Sequence, residues 1–97
     1  MAEGPLARAE AESLALAALD WMAGQPELMA GFLAASGAEA EDLRGAAARP
    51  DFLGFVLDHL LADERALLAF AEERGISPDR PARARAALPG GDLPHWI

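Results

Sequence analysis

From Ser13 to Leu88 the chain alternates apolar stripes with short breaks of Pro, Gly, Ser and Asp. These breaks fall where helices start and stop, with proline just inside the start and glycine just past the end. Pro5 opens a first helix that runs to Ala23 and stops at Gly24. Pro26 opens a second, closed by Gly37. A third is expected over 39–48, where Glu39, Glu41 and Asp42 suit the positive end of a helix dipole. Pro50 ends it, and Asp51 starts a fourth that runs to Ala62. Asp63 caps a fifth that ends at Gly75, and Ser77-Pro78-Asp79 starts a sixth that ends before Pro89. Pro81 fits that last helix badly, because inside a helix its missing N–H removes a bond. The helix is therefore expected to begin a turn late or to open as a loose turn.

At 100° per residue the first helix is apolar on two sides. Leu14, Ala18, Trp21 and Met22 form one stripe, and Leu16, Leu19 and Ala23 another. Ser13, Ala17 and Asp20 are left as an outer strip. A helix patterned in this way is expected to be sandwiched between neighbours. The fourth helix reads alike: Leu53, Val56, Leu57, Leu60 and Leu61 cover a broad side that Phe52 and Phe55 extend. Its outer strip holds Asp51, Gly54, Asp58 and Ala62. Met29, Phe32 and Leu33 anchor the second helix, and Leu67, Phe70 and Ala71 the fifth.

The chain also resembles itself. Shifted by 38 positions, Leu19-Asp20, Phe32 and Gly37 fall on Leu57-Asp58, Phe70 and Gly75. Met22 falls on Leu60, Met29 on Leu67 and Trp21 on His59. The fold expected is an all-α bundle of about six short helices in one domain, residues 1–97. The repeat adds the expectation of two related three-helix units, 13–48 and 51–86, because a fixed period marks a repeated structural unit.

Composition strengthens the all-α reading. Leu and Ala supply 39 of the 97 residues, while Thr and Tyr are absent and there are only one Val and two Ile. Helix formers abound and strand formers are scarce. A chain of this length buries roughly 60–65% of its unfolded surface, enough for one small core. Net charge is −8, with −6 in residues 1–48 and −2 in 49–97. Nucleic-acid binding needs clustered cations, and Arg80, Arg83, Arg85 and nearby Arg74 form the one basic cluster, so no nucleic-acid partner is expected. No run of about 20 apolar residues exists to cross a membrane, and the start lacks the basic region of a signal peptide. The expected location is the cytoplasm. Without cysteine, thiolate chemistry and the usual structural zinc sites are out of reach.

Few residues offer chemistry. His59 has Asp63 one turn on and Asp58 beside it, a spacing that can chelate a metal or form an acid–base pair. Two ligands are too few for a tight site, so His59 reads as a ring at the edge of the core. Asp20 and Asp58 occupy matching positions and could face each other, although solvated strips explain both. Ser13, Ser36 and Ser77 sit near helix ends, where capping accounts for them. No phosphate loop, dinucleotide fingerprint or zinc motif is present. No catalytic residue, metal or cofactor is therefore expected.

The stretch Phe52-Leu-Gly-Phe-Val-Leu-Asp58, with Leu60 to Phe70 and the Gly75-Ile-Ser-Pro78 turn, resembles a family of short alphaproteobacterial proteins known only as a domain of unknown function. Phe32 to Gly37 and Glu41 to Arg44 share the resemblance, which covers about residues 13–88. It implies a small helical bacterial protein and carries no activity.

Beyond Pro89 the two glycines Gly90 and Gly91 lead into Leu93, Pro94, His95, Trp96 and Ile97. Burying a large apolar side chain is worth roughly 2–3 kcal/mol, so this tail, 89–97, should dock on its own surface, a second copy or another protein. Leu93, His95, Trp96 and Ile97 are the candidate interaction residues. The function expected is a non-catalytic protein-interaction module, with a homodimer as one form. The alternative is a small-ligand protein with a pocket between the halves, near Trp21, Phe55 and His59.

Overall fold

The computed structural model describes residues 6–89, and within them the protein has six α-helices and no strand. The helices are α1 (Arg8–Ala23), α2 (Pro26–Ser36), α3 (Leu43–Ala46), α4 (Pro50–Leu61), α5 (Glu64–Arg74) and α6 (Arg80–Ala86). The all-α bundle expected from the sequence is the fold observed.

The helix ends follow local chemistry. Pro26 and Pro50 each occupy the first helical position, where the missing N–H has no intrahelical partner to lose. Pro50 thus opens α4 rather than merely ending what precedes it. The Asp63 carboxylate accepts from the Ala66 N–H at 3.1 Å and caps α5. Gly37 and Gly75 close α2 and α5 in the left-handed region, at φ 76° and 68°. At Gly75 the Ile76 N–H donates to the Ala71 carbonyl and the Gly75 N–H to the Glu72 carbonyl, the paired bonds of a Schellman motif. At Gly37 one bond to Leu33 suffices, and Ala38 takes the Ser36 hydroxyl instead. The late start foreseen for the last helix is found: Pro81 is its second residue, wholly buried, with its absent N–H among the orphan donors of the first turn.

Two expectations are corrected. The ten-residue third helix is a 3-10 turn, Ala40–Asp42, followed by the single α-turn of α3. Gly45 weakens it, Pro50 forces Arg49 into extended backbone (φ −99°, ψ 123°), and no side chain of Ala40–Ala46 is buried to repay further ordering. The second correction concerns α1. Its buried residues are Ala11, Ala15, Ala18, Leu19 and Met22, one continuous face. Leu19 of the second stripe joins this face, but Leu16 is 44% exposed and Ala23 is exposed, so the rest of that stripe is not covered.

The core is built around α4, which meets α1, α2, α5 and α6. It buries Phe52, Leu53, Gly54, Val56, Leu57 and Leu60. The alanines of α1 let that helix lie close to both α4 and α6, since the distance between helix axes follows side-chain size at the contact. Gly54 was expected on the outer strip of α4 and is buried instead. A Cβ there would lie 2.7 Å from Arg85 Nη1, so the glycine makes room for the arginine of α6. Phe32 and Phe70 are both wholly buried. Among the described residues no helix is long and apolar enough to cross a membrane.

Candidate binding groove

Two tight corners bring four helix ends together. Gly24 and Gln25 join α1 to α2, because glycine ends one helix and Pro26 starts the next. Ala62 and Asp63 join α4 to α5, because Asp63 is the cap of α5. Between these corners lies an open cavity of about 830 Å3. Trp21 from α1, Leu28 and Gly31 from α2, His59 from α4, and Ala66 and Ala69 from α5 line it. Glu27, Asp63 and Arg65 also border it. Two other clefts, of about 360 and 440 Å3, are smaller.

Trp21 and His59, named from the sequence as pocket residues, both face this groove. Phe55 does not line it. It sits one helical turn before His59 and packs on Phe32 instead, ring centroids 5.7 Å apart. His59 lies edge-on against Phe32, centroids 5.4 Å apart. Among the described residues neither of its ring nitrogens makes a hydrogen bond, so its polar edge is open to an incoming group. Trp21 is fixed on the other wall. Its ring tilts against Phe70 at 5.6 Å, and its indole N–H donates to Glu73 Oε1 at 3.0 Å. Arg74 lies over the Phe70 ring, 5.8 Å from its centre. The groove thus has an aromatic ring on each of two walls, Leu28, Gly31, Ala66 and Ala69 between them, and charged side chains at its border.

The remaining candidates are placed elsewhere. Asp20 and Asp58 do not form a pair. Asp58 binds Arg85 of α6 at 2.6 Å, whereas Asp20 has only a loose contact with Arg74 at 3.9 Å. Arg80 reaches Glu10 at 3.4 Å, so three arginines of the basic cluster point at acids of their own chain. Asp63 is held in its cap. The Ser36 hydroxyl donates to the Leu33 carbonyl, and the Ser77 hydroxyl donates to Asp79. That bond keeps the Asp79 carboxyl below the usual aspartate range against the opposing effect of desolvation, with lesser help from its own backbone N–H and from Arg83. No group of three or more His, Asp or Glu comes together among the described residues. Leu93, His95, Trp96 and Ile97 lie outside the described residues.

Sequence reasoning missed Leu28, Gly31, Arg65, Ala66 and Ala69 as groove residues. Only a partner 52 positions away, such as Glu73 for Trp21, shows that α5 flanks α1, and no local pattern carries that information.

No curated protein and no solved structure matches this chain. Residues 8–91 match the family described as Protein of unknown function (DUF3572), and the chain belongs to that family.

Proposed function

We propose that the protein is a non-catalytic interaction module, with the Trp21–His59 groove as the surface that receives a partner segment. The observation that carries this reading is the groove itself: open to solvent, with an aromatic ring on each of two walls, a mostly apolar floor and Glu27, Asp63 and Arg65 at its border. Such a shape suits a chain segment that presents one or two large side chains. The serines support a role without catalysis, since Ser36 and Ser77 are engaged in turns. The pairing of the arginines with acids supports a protein partner over a nucleic acid. A cytoplasmic setting in an alphaproteobacterium and a homodimer as one form belong to the same proposal.

The test is photocrosslinking in the native cell, using the full chain. A photoreactive residue in place of Ala69 should give a discrete protein adduct. The same residue in place of Leu16, which is exposed on α1 and does not line the groove, should give none. Equal or absent adducts at both positions would sink the reading.

The second reading is a small ligand in the same groove, favoured by the open nitrogens of His59. Native mass spectrometry of protein taken from its own cell should then show one small adduct that Trp21→Ala abolishes.

A further inference from the structure

We infer that the outer face of α5 is the contact between two copies of this chain, paired antiparallel about a twofold axis. The face borders the groove and does not depend on what fills it: Arg65 and Ala69 line both, whereas Leu68 and Glu72 belong to the face alone.

Arg65, Leu68, Ala69 and Glu72 follow one another at i, i+3, i+4 and i+7 along α5. They fall within about 100° on the helix wheel and form one stripe. All four are exposed, while Ala66, Phe70 and Ala71 are buried on the core side of the same helix. Leu68 is 47% exposed, and only Leu16 among the described residues is a comparably exposed large apolar side chain. Arg8, Arg74, Arg80 and Arg85 each reach an acid of their own chain. Among the described residues the side chains of Arg65 and Glu72 have no such partner.

The stripe is complementary to itself. It runs cation, two apolar residues, anion. In a twofold contact the same patch serves both copies, so each residue pair occurs twice. An axis passing between Leu68 and Ala69 sets Arg65 against the partner's Glu72 and Glu72 against the partner's Arg65. Leu68 then packs on the partner's Ala69, whose small side chain lets the helix axes approach closely. A parallel pairing would set like charges together. Leu16 on α1 offers no such match, because Glu12 and Asp20 stand one turn to either side of it and have the same sign.

The charges fix register and orientation more than strength, since exposed ion pairs contribute little. The helix has 11 residues, a length of about 16 Å, so the contact is small and association is expected to be reversible. The net charge of −8 opposes the approach of two copies. At about 0.15 M salt that repulsion is screened beyond about 8 Å.

The test is sedimentation of the full chain over a range of concentrations at that salt. The native chain should shift from monomer to dimer as concentration rises. Leu68→Glu should remain monomeric with unchanged helix content by circular dichroism. Arg65→Glu and Glu72→Arg should each weaken association at least about tenfold, and the chain carrying both changes should regain it. Glu72→Arg is the sharper arm: it lowers the net charge, so a chain held apart by bulk repulsion alone would associate better rather than worse. A native chain that stays monomeric at every concentration leaves the face to another occupant and overturns the inference. So does a dimer that survives Leu68→Glu, or a double variant no better than either single one. Any of these results leaves the groove reading to its own crosslinking test, where a second copy adds one chain mass to the adduct and a foreign partner adds another.

Discussion

The ring of His59 stands edge-on against Phe32, centroids 5.4 Å apart and planes at 70°. Trp21 and Phe70 repeat that relationship at 5.6 Å and 59°. Trp21 and His59 are 38 positions apart, as are Phe32 and Phe70. Each phenylalanine, on α2 or α5, packs against the α4 or α1 ring that corresponds to the other's partner. This reciprocity fits the expected relation between residues 13–48 and 51–86 over the first two helices of each. The correspondence stops at the third element, since α6 packs on α1 and α4 whereas α3 is a single turn.

Both phenylalanines should act as core anchors. Phe32→Ala and Phe70→Ala are each expected to cost about 3–5 kcal/mol, the usual range for a buried aromatic ring truncated to alanine. A domain of this size shifts its melting temperature by roughly 4–8 °C per kcal/mol, so each variant should melt at least about 12 °C lower. Calorimetry that shows a large loss for one and a negligible loss for the other would contradict equivalent roles.

Gly54 and Arg85 should be strongly coupled. Alanine is favoured over glycine inside a helix by about 1 kcal/mol, yet a Cβ at 54 would come within 2.7 Å of Arg85 Nη1. The arginine cannot swing aside freely, because Asp58 and the Pro89 carbonyl hold it. Gly54→Ala should therefore destabilise the native chain by about 1–3 kcal/mol. In an Arg85→Ala background the same change should stabilise. Urea denaturation of the four proteins of the cycle measures this reversal of sign.

Asp20 and Asp58 occupy matching positions in the sequence but should differ in effect. Asp58 binds an Arg85 side chain only 16% exposed, whereas the Asp20 side chain is 86% exposed and its arginine is 3.9 Å away. A hydrogen bond to a charged group is worth about 1.5–3 kcal/mol when shielded, and an exposed pair contributes about 0–1. Asp58→Asn should lower stability by about 1–2 kcal/mol, and Asp20→Asn should stay within about 0.5. Chemical denaturation of the two variants side by side checks the ranking.

The Ser77–Asp79 bond predicts a titration. Because the Ser77 hydroxyl lowers the Asp79 carboxyl in the folded chain, its stabilising effect is present above the unfolded value. It is lost as pH falls through the folded value. The carboxyl carbon of Asp79, followed by NMR, should titrate below the ordinary aspartate range and move up towards it in Ser77→Ala. An unchanged midpoint would mean that the serine is not the cause.

Much of this protein was legible along the chain, because helix boundaries are decided locally. Pro26, Pro50, Asp63, Gly37 and Gly75 each set a backbone angle or satisfy a terminal N–H or C=O within a few residues. The apolar period of α4 and the anchoring roles of Phe32 and Phe70 also follow from spacing alone. What the sequence could not decide is which apolar face finds a neighbour. Leu16 and Ala15 have the same hydrophobic character in the pattern, yet α4 and α6 cover Ala15 and leave Leu16 in water, because a line of alanines permits the closer approach. Gly54 and Asp58 read as an outer strip until α6 laid Arg85 across them. The Trp21–His59 groove is a tertiary product in the same sense: four helix ends meet there only because α2 and α5 each fold back against the opposite half.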